Sequence, residues 1–216
     1  MQDLLPRLYA DCQVDGPYRP DPDQTGKRAL AGAALSLLTR MDGGAQAARQ
    51  YAAADNMTLQ LGALSCLLSA GKGTAETAAF YDQWQADRLV IDKWFGLQVI
   101  QSAPATTADN ARALTDHPDF NWKNPNRFRA VLDALSMNHA GFHAADGAGY
   151  ALLADWLIKL DPVNPQTTAR MCSAFQTWRR YDAGRQALIE AQLKRIRGTE
   201  GLSRDTNEMI ERILGA

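Results

Sequence analysis

The sequence predicts an all-α fold, an irregular α-α superhelix in which about a dozen antiparallel helices follow one another. Three observations lead to this fold class. Apolar residues recur at helical spacing in nearly every segment, and no segment shows the convincing polar–apolar alternation of a strand. The joins between segments are short, which implies antiparallel neighbours. A dozen helices are too many for one bundle. This number is typical of helix pairs stacked in series, although the sequence shows no repeat with a fixed signature.

Composition and charge limit the classes of function. The chain has 216 residues, 46% of them hydrophobic, and its 23 basic residues nearly balance 24 acidic ones. This balance is typical of a soluble globular protein and argues against a nucleic-acid surface. No apolar run approaches the roughly 18 residues of a membrane span, and residues 1–10 show no apolar signal core. Cys12, Cys66 and Cys172 fit free thiols in a reducing compartment, so we expect a cytoplasmic protein with no nucleic-acid or membrane partner.

The segment from Phe80 to Gln101 holds the densest group of aromatic residues in the chain. Its spacing predicts two helices, and the second has an apolar surface wide enough to be buried on more than one side. Trp84 belongs to the first of these helices and Trp94 to the second. We therefore expect both tryptophans to lie in the largest apolar cluster of the protein.

The region before this segment predicts four further helices, at residues 2–12, 25–41, 45–54 and 57–70. A loop with three prolines precedes the second of them, and Thr25 is its expected cap. Its apolar residues follow helical spacing and are expected to face the core: Leu30, Ala34, Leu37, Leu38 and Met41.

The region after Gln101 predicts helices at residues 106–114, 125–135, 150–160, 165–178 and 181–197, and a last one capped by Ser203. Two of them open with Asn-Pro, at Pro125 and Pro165, and an Asn cap followed by Pro is a strong helix start. Their expected core faces are Phe128, Val131, Leu132 and Leu135 in the first, and Met171, Phe175 and Trp178 in the second. Residues 138–149 are expected to form a loop, and residues 115–124 the weakest joint of the chain.

Few residues suggest chemistry of their own. His139 and His143 are four apart, a spacing that binds zinc on a helix, but the zinc-protease motif needs a Glu where this chain has Ala140. We therefore expect no metal site here and prefer a histidine that caps a helix or packs on Phe142. No Ser or Cys has a base beside it in sequence, so no catalytic residue is predicted. The basic residues between 179 and 197 are interpreted as a solvated helix face.

Several short motifs together identify a family. Their order and spacing run from about residue 28 to the last helix, and in this combination they resemble the C-terminal helical domain of bacterial aminopeptidase N. The motifs are Asp55-Asn56-Met57-Thr58, the run Leu89-Val90-Ile91-Asp92-Lys93-Trp94-Phe95 with Gln98, Asn124-Pro125-Asn126-Arg127 with Arg129, Phe142-His143-Ala144 with Asp146-Gly147 and Gly149-Tyr150, Asn164-Pro165-Gln166 with Arg170, and Arg180-Tyr181-Asp182 with Arg185-Gln186.

The resemblance implies that residues 1–216 form a single C-terminal α-superhelical domain of a larger zinc aminopeptidase. In that family the zinc and the catalytic residues belong to a separate domain, so no cofactor is expected in this chain. The resemblance implies that the domain closes the catalytic cavity and limits access to small peptides. Its partners are then the catalytic and N-terminal domains of the same enzyme, and its peptide substrates. The alternative is a free-standing helical scaffold for protein partners.

The resemblance also implies roles for Arg129 and Arg170. Their positions match arginines that point from this domain toward the substrate cavity of the family, where a guanidinium could hold a peptide carboxylate. The alternative is a surface ion pair, because Asp133 lies four residues after Arg129. The helix starts at Pro125 and Pro165 are expected to belong to the face that meets the rest of the enzyme.

Overall fold

A computed structural model describes residues 3–215 of the chain. Within this range the secondary structure consists of thirteen α-helices and three short 3-10 turns, with no strand. The predicted all-α class is therefore confirmed. None of the described helices is both long and apolar enough to cross a membrane.

The chain divides into two compact units, and the division falls between Ala86 and Asp87. The segment at residues 115–124, which the sequence suggested as the weakest joint, lies inside the second unit, so that expectation is wrong. Arg127 explains why this segment is held firmly. Its guanidinium donates to the carbonyl of Asp119 at 2.6 Å and pairs with Asp92 at 2.5 Å.

The first unit contains five helices. They are α1 (Leu4–Asp11), α2 (Pro22–Asp42), α3 (Ala45–Ala53), α4 (Met57–Ser69) and α5 (Thr74–Trp84). Its core cluster joins Leu35 of α2, Ala47 of α3 and Leu67 of α4, and Tyr9 and Tyr51 pack against this cluster. The cluster is closely packed, and its four buried members are at most 7% exposed.

Helix α2 differs from its prediction in two ways. It begins at Pro22, because a carboxylate oxygen of Asp21 accepts the backbone N–H of Gln24 at 2.8 Å and caps the helix ahead of Thr25. Its buried face is also rotated: Ala31, Ala34, Leu35 and Leu38 are buried, whereas Leu30, Leu37 and Met41 are 45%, 47% and 54% exposed. Leucines occur on both faces of this helix, so spacing alone does not identify the buried one.

The second unit contains eight helices. They are α6 (Arg88–Ile100), α7 (Thr107–Thr115), α8 (Pro125–Met137), α9 (His139–Phe142), α10 (Ala148–Leu160), α11 (Pro165–Met171), α12 (Ala183–Arg197) and α13 (Arg204–Leu214), and 3-10 turns occupy Pro104–Thr106, Cys172–Phe175 and Trp178–Arg180. Helices α6 and α8 touch at Gly96, where an added Cβ would lie 3.1 Å from the carbonyl oxygen of Ala130. The predicted core face of α8 is fully buried around this contact.

Two further expectations need correction in this unit. Residues 139–142, expected in a loop, form the single turn of helix α9, which the side chain of Asn138 caps. The α-helix expected over residues 165–178 ends at Met171, and two 3-10 turns follow it. Met171, Phe175 and Trp178 are nevertheless all buried, as the sequence predicts.

Asp161 joins the end of α10 to the start of α13. This carboxylate is buried and accepts hydrogen bonds from the backbone N–H of Ser203 at 2.7 Å, from its hydroxyl at 2.7 Å, and from the hydroxyl of Thr206 at 2.5 Å. Ser203 in turn accepts the backbone N–H of Thr206, which confirms it as the cap of the last helix. Three donors offset the cost of burying this carboxylate without a cation.

Of the two tryptophans expected in the largest apolar cluster, Trp94 is a core residue and Trp84 is not. Trp94 is buried at 6% exposure, with its ring centroid 4.9 Å from that of Phe95 and 5.4 Å from that of His117. Trp84 belongs to the first unit and is only half-buried, and its indole N–H donates to Gln60 at 3.0 Å.

The core role of Trp94 gives the first testable prediction. Trp94→Ala should lower the free energy of unfolding by about 3–5 kcal/mol, because it removes a large buried side chain and leaves a cavity. Urea unfolding followed by circular dichroism measures this change. Leu89→Ala on the same helix is the control: Leu89 is 67% exposed and its loss should cost less than about 0.5 kcal/mol. Equal costs for the two variants would contradict the assignment of Trp94 to the core.

Candidate functional site

A cleft of about 400 Å³ opens on the second unit. Helices α8, α9 and α11 supply most of its wall, and the 3-10 turn after α11 and the segment after that turn complete it. The lining residues are Arg129, Asp133, Ser136, Met137, His139, His143, Arg170, Met171, Ser173, Ala174, Thr177 and Tyr181. The structure therefore brings Arg129 and Arg170, which are 41 positions apart in sequence, to one site.

Arg129 lies one turn into α8 and is half-buried. Its Nε donates to the carbonyl of Pro125 at 3.1 Å, and its Nη2 donates to the side-chain oxygen of Asn126 at 2.7 Å. These contacts hold the guanidinium against the first turn of the helix. Among residues 3–215 the structure shows no ion pair between Arg129 and Asp133, so the alternative of a local surface pair is not realised.

Arg170 lies near the end of α11 and is exposed. Within the part of the chain that the structure describes, no carboxylate pairs with its guanidinium, which leaves its five N–H donors available to a ligand. Asp133 is the one acidic residue among those lining the cleft. The cleft therefore carries an excess of positive charge.

His143 follows α9 and is 9% exposed. Its Nδ1 lies 2.8 Å from the hydroxyl of Tyr150, and its ring stacks on that of Tyr181 with the centroids 4.0 Å apart. Arg185 donates its Nε–H to the carbonyl of His143 at 2.6 Å. Burial, followed by the nearby His139 and Arg185, lowers the pKa of His143 to about 4, so the imidazole is neutral near pH 7.

The pair His139 and His143 lies on one helical turn, with the rings nearly parallel and their centroids 6.3 Å apart. His143 packs edge-on against Phe142 at 5.0 Å, as the sequence predicts. No third His, Cys, Asp or Glu joins the pair to form a metal-binding group among the described residues. The geometry of this pair is that of an aromatic stack on the cleft wall.

Asn138 positions the histidine side of the cleft. Its amide nitrogen donates to the carbonyls of Ser102 at 2.9 Å and Val99 at 3.1 Å, and its side-chain oxygen accepts the N–H of Gly141 at 3.1 Å. One side chain thus caps both the end of α6 and the start of α9. Gly141 permits this closeness, because an added Cβ would lie 2.1 Å from the hydroxyl oxygen of Thr107.

Sequence reasoning missed both His143 as a cleft residue and Asn138 as its support. A signal for Asn138 was available, since Asn is among the preferred residues for capping a helix and was used in this way at Asn124 and Asn164. Those two caps are confirmed: Asn124 accepts the N–H of Asn126 at 3.0 Å, and Asn164 accepts that of Thr167 at 3.0 Å. The glycines after residue 138 led instead to the prediction of a loop.

The two Asn-Pro helix starts are accessible. Pro125 is exposed, and Pro165 is partly exposed. Neither start is therefore covered by its own unit, and their contact with another domain stays a prediction.

The basic residues between 179 and 197 are largely engaged. Arg179 lies on the ring of Trp178 and donates to the carbonyls of Ile213 and Leu214 at the end of α13. Two others form surface pairs between helices, Arg195 with Asp155 at 2.7 Å and Arg197 with Glu211 at 3.1 Å. These contacts link neighbouring helices on the protein surface.

A second cleft, of about 770 Å³, lies within the first unit and was also missed from the sequence. Its lining comes from α1 to α4 and is largely apolar, as shown by Pro6, Tyr9, Leu38, Met41 and Leu59. Among the described lining residues the ionisable groups are Tyr9, Asp42 and Arg49, and Asp42 accepts the backbone N–H groups of Gly44 and Gln46.

Comparison with known proteins decides the family. The pattern of the family described as "Domain of unknown function (DUF3458_C) ARM repeats" matches residues 1–215. The chain belongs to this family. The match agrees with the predicted array of stacked helices, since ARM repeats are of this architecture.

Similar proteins connect the chain to aminopeptidases. It is 38% identical to aminopeptidase N of Caulobacter vibrioides over 219 residues and 36% identical to aminopeptidase N of Escherichia coli over 220, covering 99% of this chain in each case. A crystal structure of Legionella pneumophila aminopeptidase A in complex with aspartic acid superposes with a TM-score of 0.86 at 29% identity and covers 99% of this chain and 26% of the other. The resemblance to the helical domain of aminopeptidase N is thereby confirmed.

The chain spans 25% of the length of the aminopeptidase N relatives that it matches. About three quarters of the length of those proteins lies outside the region that this chain matches.

The support that Asn138 gives the cleft can be tested by Asn138→Ala. We expect a loss of about 2–3 kcal/mol in the free energy of unfolding, because the change removes one helix cap and leaves several partly buried carbonyls without their donor. Asn110→Ala is the matched control, because Asn110 is exposed and its side chain donates one hydrogen bond, to Ser102 at 2.9 Å. Equally small losses in both variants would show that water replaces the Asn138 amide.

Proposed function

We propose that this chain serves as the non-catalytic C-terminal domain of a zinc aminopeptidase of the aminopeptidase N type. In this role it closes the catalytic cavity, limits access to small peptides and contacts the catalytic and N-terminal domains of the same enzyme. Supporting this role, the aminopeptidase N relatives match 99% of the chain, which in turn spans a quarter of their length. The three buried free thiols suit a reducing compartment, and we place the protein in the cytoplasm.

The proposal rests mainly on one observation, that Arg129 and Arg170 line the same cleft. A site of about 400 Å³ is large enough for the end of a short peptide, and two guanidinium groups give it a positive charge. A guanidinium binds a carboxylate through two parallel hydrogen bonds, which a lysine does not reproduce. We propose that these arginines hold the C-terminal carboxylate of a peptide whose other end reaches the catalytic domain.

Zinc belongs to the catalytic domain in this proposal. The residues of this chain do not suit it, because the rings of His139 and His143 lie nearly parallel with their centroids 6.3 Å apart, and Tyr150 occupies one nitrogen of His143. Catalytic zinc sites in proteins take three side-chain ligands.

The alternative role, a free-standing scaffold for protein partners, draws support from the first unit. Leu30, Leu37 and Met41 leave an apolar stripe exposed on α2, and Met41 also lines the apolar cleft of about 770 Å³. Exposed apolar surface of this kind marks interaction sites. The aminopeptidase domain explains the same surface, since a domain of a larger protein packs against its neighbours.

The role of the arginines is tested in the full-length enzyme. Arg129→Ala and Arg170→Ala should each raise KM for short peptides roughly tenfold to a hundredfold, the effect of losing a hydrogen bond to a charged group. Single-residue anilides lack the distal carboxylate, so their KM should stay nearly unchanged. Arg180→Ala removes an exposed arginine outside the cleft and is the matched control. Equal effects on peptides and anilides, or none, would contradict the carboxylate-binding role.

The absence of catalysis in this chain is tested on the purified 216-residue protein. We expect no hydrolysis of an aminoacyl anilide, and no zinc at one ion per chain after dialysis. Metal analysis and a chromogenic assay measure the two quantities. Stoichiometric zinc, or activity that survives further purification, would overturn the proposed division of roles.

A further inference from the structure

The ring of His143 is held in one orientation on the wall of the cleft. It stacks on Tyr181 with an interplanar angle of 23° and meets the edge of Phe142, while its Nδ1 contacts the hydroxyl of Tyr150. Contacts on three sides hold the imidazole in this orientation, so one ring atom faces the cleft. The atom it presents follows from the hydrogen bond to Tyr150.

Tyr150 donates this hydrogen bond. Its side chain is fully buried, and among the described residues its hydroxyl has one hydrogen-bond partner, Nδ1 of His143 at 2.8 Å. A buried hydroxyl hydrogen without an acceptor is costly, so the phenol donates and the imidazole nitrogen accepts. Burial raises the pKa of Tyr150 to about 12, which keeps the phenol protonated at neutral pH.

The neutral imidazole therefore carries its one hydrogen on Nε2. A neutral imidazole has a single N–H, and Nδ1 is occupied as an acceptor. The lowered pKa of His143, about 4, keeps a second proton away at physiological pH. His143 is thus a neutral donor with a defined tautomer.

Nε2 reaches the cleft. Among residues 3–215 it has no hydrogen-bond partner, yet the described structure contains no fully buried side-chain nitrogen or oxygen that lacks one. Nε2 is therefore open to solvent although the side chain is 9% exposed, and His143 is a lining residue of the cleft. A nine-tenths-buried polar side chain with an unused donor at a cleft wall is typical of a recognition group.

We propose that His143 binds the ligand of this cleft by donating its Nε2–H to a backbone carbonyl oxygen of the peptide whose carboxylate Arg129 and Arg170 hold. This inference rests on the function proposed above and assigns a specificity-determining residue to the same site. A neutral donor suits a neutral acceptor, because it recognises the carbonyl without adding a third cation to the cleft. The arginines then select for charge, and His143 selects for the peptide group.

The first test measures the tautomer in the 216-residue chain labelled with ¹⁵N-histidine. Two-bond nitrogen–proton correlation spectra should show His143 as the neutral Nε2–H form from pH 8 down to about pH 5, given its pKa of about 4. Tyr150→Phe removes the donor to Nδ1, and the spectrum should change to a mixture of both tautomers. A wild-type His143 that is charged at pH 7, or carries its hydrogen on Nδ1, would overturn the proposal.

The second test uses aminopeptidase N containing this chain, with a short peptide and the same peptide as its C-terminal amide. Both compounds retain the backbone carbonyl, and one retains the carboxylate. His143→Phe combined with Tyr150→Phe removes both hydrogen-bonding partners together, so no buried hydroxyl is left unpaired. This double variant should raise KM roughly threefold to tenfold for both compounds and leave kcat nearly unchanged, the effect of one neutral hydrogen bond.

The two sets of variants test the role of His143 and the role of the arginines separately. Arg129→Ala should raise KM for the acid alone, whereas the double variant should raise it for acid and amide by the same factor. His143→Gln places an amide donor near the position of Nε2 and should restore part of the loss. If the arginine variants keep their effect while the double variant changes neither KM, His143 is not a recognition residue and the proposed function stands. If neither set of variants affects KM, both proposals are wrong.

Discussion

The candidate cleft depends on the side-chain amide of Asn138. This group donates to the carbonyls of Val99 and Ile100 at the end of α6 and accepts a backbone N–H at the start of α9, so it fixes the angle at which the chain leaves α8. Backbone groups at helix ends have no partner within the helix, and one residue satisfies three of them here. The turn that carries His139 and His143 is thus held by polar contacts, since a helix of four residues contributes little stability alone.

The arginine side of the cleft is held by a different arginine. Arg127 is buried and pairs with Asp92 of α6, and its Cζ lies 4.6 Å from the ring centroid of Phe95. These contacts hold the first turn of α8 against α6. Two residues later in that turn, Arg129 faces the cleft. Arg127 and Arg129 therefore contact different parts of the structure, because side chains two positions apart on a helix point in different directions. Separating a buried pair such as Arg127 and Asp92 leaves an uncompensated buried charge, which is energetically costly. The pair therefore keeps α8 in its position beside α6.

The sequence was sufficient for the fold class and for most helix boundaries, because apolar spacing and Asn-Pro caps are local signals. It failed on the buried face of α2, where leucines on both sides leave the choice to tertiary packing. It also failed at α9, where Gly141 is needed for its contact with Thr107 and not for a loop. Arg129 and Arg170 were reached through a family resemblance, and their meeting in one cleft is a property of the folded unit. The sequence drew attention to His143 only as a possible zinc ligand or packing residue, because its donor depends on a hydrogen bond to Tyr150.

The charge state of His143 follows from its place beside cations. A protonated imidazole would have to be buried next to the guanidinium of Arg185 and close to His139, and both burial and these neighbours lower its pKa. The unfolded chain binds this proton at a higher pH than the native state does, so His143 contributes stability that is lost as the pH falls from about 6.5 toward 4. In the physiological range His143 stays neutral and adds no charge to that of the two arginines. In the proposed function, recognition of a carboxylate and recognition of a peptide carbonyl can then vary independently, because the first depends on charge and the second on a single fixed N–H.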